Sequence, residues 1–151
     1  MSRRFDGGPA LDQVVDWCRT AVRAPTAGFS QGCHLVILDG EALQGFWRVS
    51  GAGHWFSTTS PGVLDAPYVV LVGGCRSAYT DRYASPDKAG HGLEAEAGWS
   101  TPFWLTDAAM AQFDREVEHS LRSRADSDRP SGSPTRRPRV PDHELVHIGR
   151  W

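Results

Sequence analysis

Apolar residues recur at helical spacing near the start of the chain, and this pattern predicts an amphipathic helix built on Leu11, Val14, Val15, Cys18, Ala21 and Val22. Pro25 disfavours helical geometry at Ala24, so we expect the helix to end there. The next apolar run, His34–Leu38, is short and rich in branched side chains, and Asp39–Gly40 follows it. This pattern predicts a buried strand with a turn after it.

The middle of the chain alternates between further apolar elements and loops. A second short helix is predicted around three apolar residues: Leu43, Phe46 and Trp47. Gly51–Gly62 is expected to be loop. Tyr68–Gly73 is apolar without interruption, which is typical of a central strand buried on both faces. Ser77–Tyr83 is a short helical candidate, and a long polar stretch follows it as far as Gly98.

The second half of the sequence predicts one more amphipathic helix, with Thr106 as its N-cap and a single apolar stripe made of Ala109, Met110, Phe113, Val117 and Leu121. We expect this helix to fray near Arg122. The aromatic residues just before it suit either a lid over planar substrates or core packing, and packing is the preferred interpretation for Trp99, Phe103 and Trp104. Leu145–Ile148 is an apolar patch that predicts a short last strand.

Composition divides the chain into a folded domain (residues 1–121), an Arg/Ser/Pro-rich insert (122–139) and a C-terminal strand remnant (140–151). The insert has too few apolar side chains to offset its ordering entropy, so disorder is predicted there. It contains six arginines and two aspartates, whereas the formal net charge of the whole chain is -2. Binding of nucleic acid by this insert is one alternative function. A solvated linker explains the charges better, because no aromatic side chain is present to stack on bases.

The whole chain has the length of one domain and contains no stretch that resembles a membrane span or a signal sequence, so we expect a cytoplasmic protein. Its three cysteines lack the paired spacing of a disulfide framework or a zinc knuckle: Cys18, Cys33 and Cys75. His143 and His147 are spaced for one helical face, but they lie in a segment that is predicted to be a strand. No metal site is therefore assigned.

The candidate functional residues lie in the loop Ala24–Gly32, which joins the first helix to the first strand. Gly28 and Gly32 would let the backbone approach a ligand closely, and short polar groups are supplied by Thr26, Ser30 and Gln31. A loop of this composition suits a flat, phosphorylated cofactor. An ordinary helix-to-strand connection has similar composition, and local chemistry alone favours that simpler interpretation.

The order of the motifs resembles the nitroreductase-like flavoprotein family, in its actinobacterial form, over roughly Met1 to Gln112. Five segments support the resemblance: the basic motif Met1–Phe5, the loop Ala24–Gly32, Gly62–Pro67 before a core strand, Tyr83–Lys88, and Trp104–Ala109 at the start of a helix. Each segment alone is weak evidence. Their common order along the chain is more specific.

The resemblance implies an α+β fold with a three-layer arrangement of helices around a sheet, and a homodimer. It implies FMN as cofactor, NAD(P)H as co-substrate, and transfer of electrons to nitro compounds, quinones or similar acceptors. It assigns the flavin phosphate to Arg3 and Arg4, and contact with the flavin ring to the loop residues Pro25, Thr26, Ala27, Gly28 and Gln31. No side chain is expected to act as a catalytic acid, base or nucleophile.

The chain departs from the family pattern at both ends. It begins inside the basic motif, and Phe113–Arg139 stands where the family has a long apolar helix and a glycine-containing loop. Val140–Gly149 resembles a late family strand again. We therefore expect an incomplete version of the fold, for which a shifted reading frame in a GC-rich gene is one hypothesis. A degenerate remnant that has lost the flavin is the alternative to an enzyme.

Overall fold

The computed structural model describes residues 4–121 and 138–150, and no side chain between 113 and 121 is described. Within these ranges the helices are α1 (Leu11–Ala21), α2 (Gly40–Val49), α3 (Ala52–Thr59), α4 (Arg76–Tyr83), α5 (Phe103–Leu121) and α6 (Asp142–Leu145). The strands are β1 (Cys33–Leu38), β2 (Val69–Gly74) and β3 (Val146–Ile148). The fold class is α+β, as predicted.

The three strands form one sheet in the order β2-β1-β3. β1 runs antiparallel to β2, with Cys33 opposite Gly74, and parallel to β3, with Leu35 opposite Val146. β1 therefore lies in the centre, where its backbone can bond to a strand on each side. Successive side chains of a strand point to opposite faces of the sheet. The apolar residues of β1 consequently supply two separate layers of core.

One face of the sheet is covered by α1 and α5. The buried apolar residues in this layer include Val14, Cys18 and Ala21 from α1, Ala108 and Ala111 from α5, and Leu35 and Ile37 from β1. Their spacing on each helix brings them to the same side, which is the reason that the sequence periodicity identified α1 correctly. Ile37 is fully buried in this layer.

The opposite face of the sheet is covered by α2. Leu43 is buried there against Val36 and Leu38 of β1. α3 packs on the outer side of α2 through aromatic edges, since the Phe56 ring lies 6.0 Å from the ring of Trp47. The molecule thus has helices on both sides of a small sheet.

The helices α1, α2 and α4 and the strands β1, β2 and β3 confirm elements predicted from the sequence. The prediction of loop for Gly51–Gly62 was wrong, because it contains α3. Short helices of this kind are stabilised by contacts with the rest of the fold, here with α2. They are too short to show a clear apolar periodicity in the sequence. The apolar patch Leu145–Ile148 was predicted to be a short strand. In the structure Leu145 ends α6, and only Val146–Ile148 is strand.

The prediction that Tyr68–Gly73 is a central strand was wrong for the part of the chain that the structure describes. β2 lies at an edge of the sheet, and Leu71 is 37% exposed. A continuous apolar run does not distinguish a strand with two neighbours from an edge strand that α5 covers on one face. Thr106 was also assigned wrongly as N-cap: α5 begins at Phe103, directly after Pro102.

The predicted insert (122–139) lies almost wholly outside the described residues. The C-terminal segment after it packs into the same fold as the rest of the chain, because Leu145 is buried in the layer beneath α1 and Val140 packs against that layer. None of the helices in the described ranges has the length and apolar character that a membrane crossing requires.

Candidate functional site

The loop Ala24–Gly32 has an unusual backbone conformation. After α1 it forms a short 3-10 turn, in which the Phe29 amide donates to the carbonyl of Thr26 at 2.9 Å. Gly28, Phe29 and Gln31 have positive φ angles of 61°, 59° and 55°. Residues with a side chain rarely adopt this region, and they stay there only where surrounding contacts impose it. The contacts that impose this conformation come from α4, α5 and the C-terminal segment.

Asp107 of α5 anchors the loop from beneath. Its side chain is buried, and the Oδ2 atom accepts a hydrogen bond of 2.7 Å from the Ala27 amide and one of 2.8 Å from the Tyr79 hydroxyl. One carboxylate oxygen therefore joins the loop, α4 and α5. Hydrogen bonds to a charged acceptor are stronger than neutral ones, and burial makes their loss more costly.

The groups around Asp107 are held in their neutral forms. Burial, with the Asp107 charge as a smaller cause, raises the pKa of the Cys33 thiol to about 11. Burial and the hydrogen bond to Asp107 likewise raise the pKa of Tyr79. A thiol with a raised pKa is a poor nucleophile at neutral pH. Neither Cys33 nor Tyr79 is therefore suited to act as a nucleophile or a proton donor here.

Arg82 of α4 holds the loop from the side. Its Nε donates to the Gly28 carbonyl at 2.8 Å, and its two terminal nitrogens bind Asp87 in a bidentate pair at 2.7 and 2.6 Å. The hydrogen bond from Arg82 lowers the pKa of Asp87 to about 2. The Arg82 charge is thus neutralised within the protein. A Cβ atom on Gly28 would come within 2.7 Å of the Tyr83 ring, so this glycine permits a close internal contact.

Gln31 connects the loop to the C-terminal segment. Its backbone amide donates to the Thr26 hydroxyl at 2.9 Å. Its side-chain amide donates to the Pro138 carbonyl at 3.4 Å and accepts from the Val140 amide at 3.0 Å. The guanidinium of Arg139 lies 5.3 Å from the centre of the Phe29 ring. Residues 138–140 consequently form a strap across the loop, and Gln31 is buried beneath it.

The structure brings the predicted loop residues together, but they differ in how far they are exposed to solvent. Pro25 is exposed, the three residues Thr26, Ala27 and Gly28 are half-buried, and Gln31 is buried. Of the two arginines predicted for phosphate binding, Arg4 is exposed and Arg3 lies outside the described residues.

Asp107 and Arg82 were missed when the sequence was considered alone. A signal for Asp107 existed, because it stands beside Ala108 and one turn before Ala111 on the buried face of α5. A carboxylate at such a position requires donors to be present in the fold. The role of Arg82 had no local signal, since its partner Gly28 is far away along the chain.

Trp99, Phe103 and Trp104, for which the sequence favours packing over a lid, lie in an aromatic cluster. Trp99 is half-buried, its indole nitrogen donates to the Leu93 carbonyl at 2.8 Å, and its ring makes tilted or edge contacts with Tyr79, Tyr83, Phe103 and Trp104. Aromatic rings at such angles attract each other through their quadrupoles. These contacts agree with packing beside α4 rather than with a lid.

The other reactive side chains in the described part of the chain give no alternative site. The cysteines are free thiols, of which Cys18 and Cys33 are buried and Cys75 is half-buried. Among the residues that the structure describes, no group of three or more His, Cys, Asp or Glu side chains is placed to hold a metal ion. The loop Ala24–Gly32 therefore remains the candidate site. Comparison with protein-family models, curated proteins and solved structures finds no match to this chain.

Proposed function

We propose that the chain is an FMN-dependent oxidoreductase of nitroreductase type, in which the flavin lies against the loop Ala24–Gly32. The observation that supports this most is the way the loop is held: Asp107 and Arg82 fix it from beneath and from the side, while Pro25–Gly28 remain at or near the surface. A surface that is rigid before binding loses little entropy when a ligand arrives. The order of family-like motifs along the sequence supports the same proposal.

FMN fits part of this loop and not all of it. Small side chains at the outer surface, from Pro25 to Gly28, suit a planar ring. The Ala27 amide, the Gly28 carbonyl and the Gln31 side chain already have partners within the protein. The proposal therefore places the ring on the outer surface of the loop and gives Gln31 no flavin contact while the strap is closed. Arg4 is the described residue proposed for the phosphate.

The chemistry in this proposal belongs mainly to the cofactor. When bound, FMN would supply the transfer of electrons from NAD(P)H to a nitro compound, a quinone or a similar acceptor. The task of the loop is to hold the ring and to leave one face open to substrates. NAD(P)H, the homodimer and a cytoplasmic location are proposed from the sequence resemblance alone.

A fluorescence titration tests the proposal. We expect the purified chain to quench FMN fluorescence in a saturable manner, and Ala27→Phe to weaken the affinity at least tenfold, on the order of 1.4 kcal/mol, because its ring would occupy the flavin position. Ala95→Phe, at an exposed position outside the loop, is the control and should bind as the unaltered chain does. Unquenched FMN at high micromolar protein would exclude flavin binding.

A second candidate function is a scaffold that keeps the layout of the family but no longer binds flavin. The internal partners of Ala27, Gly28 and Gln31 favour it, because they leave fewer polar groups for a ligand. The same titration separates the two candidates when it is combined with thermal unfolding. A cooperative transition without any quenching would support the scaffold, whereas quenching supports the enzyme.

A further inference from the structure

Two histidines on neighbouring strands face each other across the sheet. His34 lies on β1 and His147 on β3, where His147 is opposite Val36, so both side chains project from the same face. The Nδ1 atom of His34 is 3.4 Å from the Nε2 atom of His147. The ring centroids are 5.7 Å apart and the ring planes differ by 12°. The distance between the ring centroids exceeds the distance between the two nitrogens by about two ring radii, so both nitrogens lie on the line that joins the centroids. The rings therefore meet edge to edge in nearly one plane.

This arrangement has room for one proton between the rings. With one proton there, the N–H group of one ring donates a hydrogen bond to the nitrogen lone pair of the other. This holds whether the pair is neutral overall or has a single positive charge. When both rings are fully protonated, two N–H groups face each other and two positive charges are adjacent. The pair then repels, and the contact between β1 and β3 is weakened.

The environment of His34 also disfavours the protonated form of its ring. Burial first, and then the charge of His147, lower the pKa of His34, while a hydrogen bond with the backbone of Glu144 has the opposite, smaller effect. β2 brings Gly73 opposite His34 and no ionisable side chain. The charged or ionisable side chains of α2, of α6 and of the two residues after β3 are exposed to solvent: Glu41, Arg48, Asp142, His143, Glu144 and Arg150. Exposed charges are well screened.

The segment that ends in β3 is the one that covers the candidate loop. Its contacts with the rest of the protein include the Gly149 amide, which donates to the Ile37 carbonyl at 2.7 Å, and the buried side chain of Leu145. Its first residues, 138–140, bond to Gln31. A change at the histidine pair therefore acts on the same short segment that holds Gln31.

We propose that His34 and His147 form a proton-controlled fastener that holds residues 138–150 over Gln31 and loosens when both rings are protonated. The proposal is independent of whether FMN binds. A histidine with a lowered pKa in the folded state contributes stability above its unfolded pKa. That contribution is lost as the pH falls from the ordinary value of 6.5 through the lower folded value. Acid conditions are thus expected to uncover the amide of Gln31.

Amide hydrogen exchange of the full chain between about pH 5 and pH 8 tests the fastener. After correction for intrinsic rates, the opening of Val146–Ile148 is expected to increase about tenfold for each unit by which the histidine pKa is lowered. Amides in the pairing of β1 with β2 should not change in this way. His147→Gln keeps a hydrogen-bonding group but cannot be protonated, so it should reduce the pH dependence to the part that burial of His34 causes. His54→Gln should leave the pH dependence unchanged.

Titration of the histidine rings by NMR in the unaltered chain gives a second readout, which does not depend on whether a variant folds. The fastener predicts that His34 titrates below the value of a free histidine, about 6.5. Titration of His34 at the ordinary value would overturn the proposal. A pH dependence of Val146–Ile148 that is as large in His147→Gln as in the unaltered chain would also overturn it.

Discussion

Replacement of Asp107 with alanine is expected to destabilise the protein by about 2 to 5 kcal/mol, because one buried and one half-buried donor lose their acceptor. The Ala27 amide and the Tyr79 hydroxyl both bond to the Oδ2 atom of Asp107, and Tyr79 is fully buried. A donor left without a partner in the interior costs roughly 1 to 3 kcal/mol. Chemical denaturation followed by circular dichroism measures this change in the free energy of unfolding.

Two further variants make the Asp107 experiment specific. Asp81 is an exposed aspartate on α4, and Asp81→Ala is expected to change the stability by less than about 0.5 kcal/mol. Asp107→Asn retains one acceptor oxygen and should fall between the two. An Asp107→Ala variant as stable as the unaltered chain would show that the anchor beneath the loop does not exist.

Replacement of Gly74 with alanine is the second change with a large expected effect, about 1 to 3 kcal/mol of lost stability. A Cβ atom at Gly74 would overlap the carbonyl oxygen of Trp104, at the start of α5. This neighbour is backbone, so relief of the overlap requires α5 to move away from β2. We expect a clear decrease in the thermal midpoint, measured by calorimetry.

The matched control for Gly74 is another glycine with space around it. A Cβ atom at Gly45, inside α2, would have the guanidinium of Arg48 as its neighbour, at 3.9 Å. Because alanine favours helix more than glycine does, Gly45→Ala is expected to stabilise the protein by about 0.5 to 1 kcal/mol. The two substitutions should therefore have opposite signs. A neutral result for Gly74→Ala would contradict the close approach of α5 to β2.

Much of the fold could be predicted from the sequence because its periodic patterns are local. α1 has a single apolar stripe at helical spacing, and β1 is a short run of branched apolar residues between turn residues. Each pattern predicts its element without reference to the rest of the chain. α3 and the edge position of β2 could not be predicted in this way, because both depend on what else packs nearby. The spacing of residues within one element does not specify its neighbours.

The candidate site was predictable in position but not in construction. Small residues and glycines indicated the loop Ala24–Gly32. Its shape, however, depends on Asp107, Arg82 and the strap at residues 138–140, all of which are distant along the chain. No local pattern pairs the Ala27 amide with a carboxylate on α5. The structure was needed to show that Gln31, predicted to contact a ligand, has its side-chain amide bonded within the protein.

The most direct test of the central claim, that the outer surface of this loop binds FMN, is an NMR titration of the isotope-labelled full chain. We predict saturable shifts of the backbone amides of Thr26, Ala27 and Gly28 on addition of FMN. No comparable shifts are expected in α3, which exposes Trp55 and packs against α2. Amides of the loop that stay unmoved at saturating FMN, or shifts confined to α3, would contradict the claim.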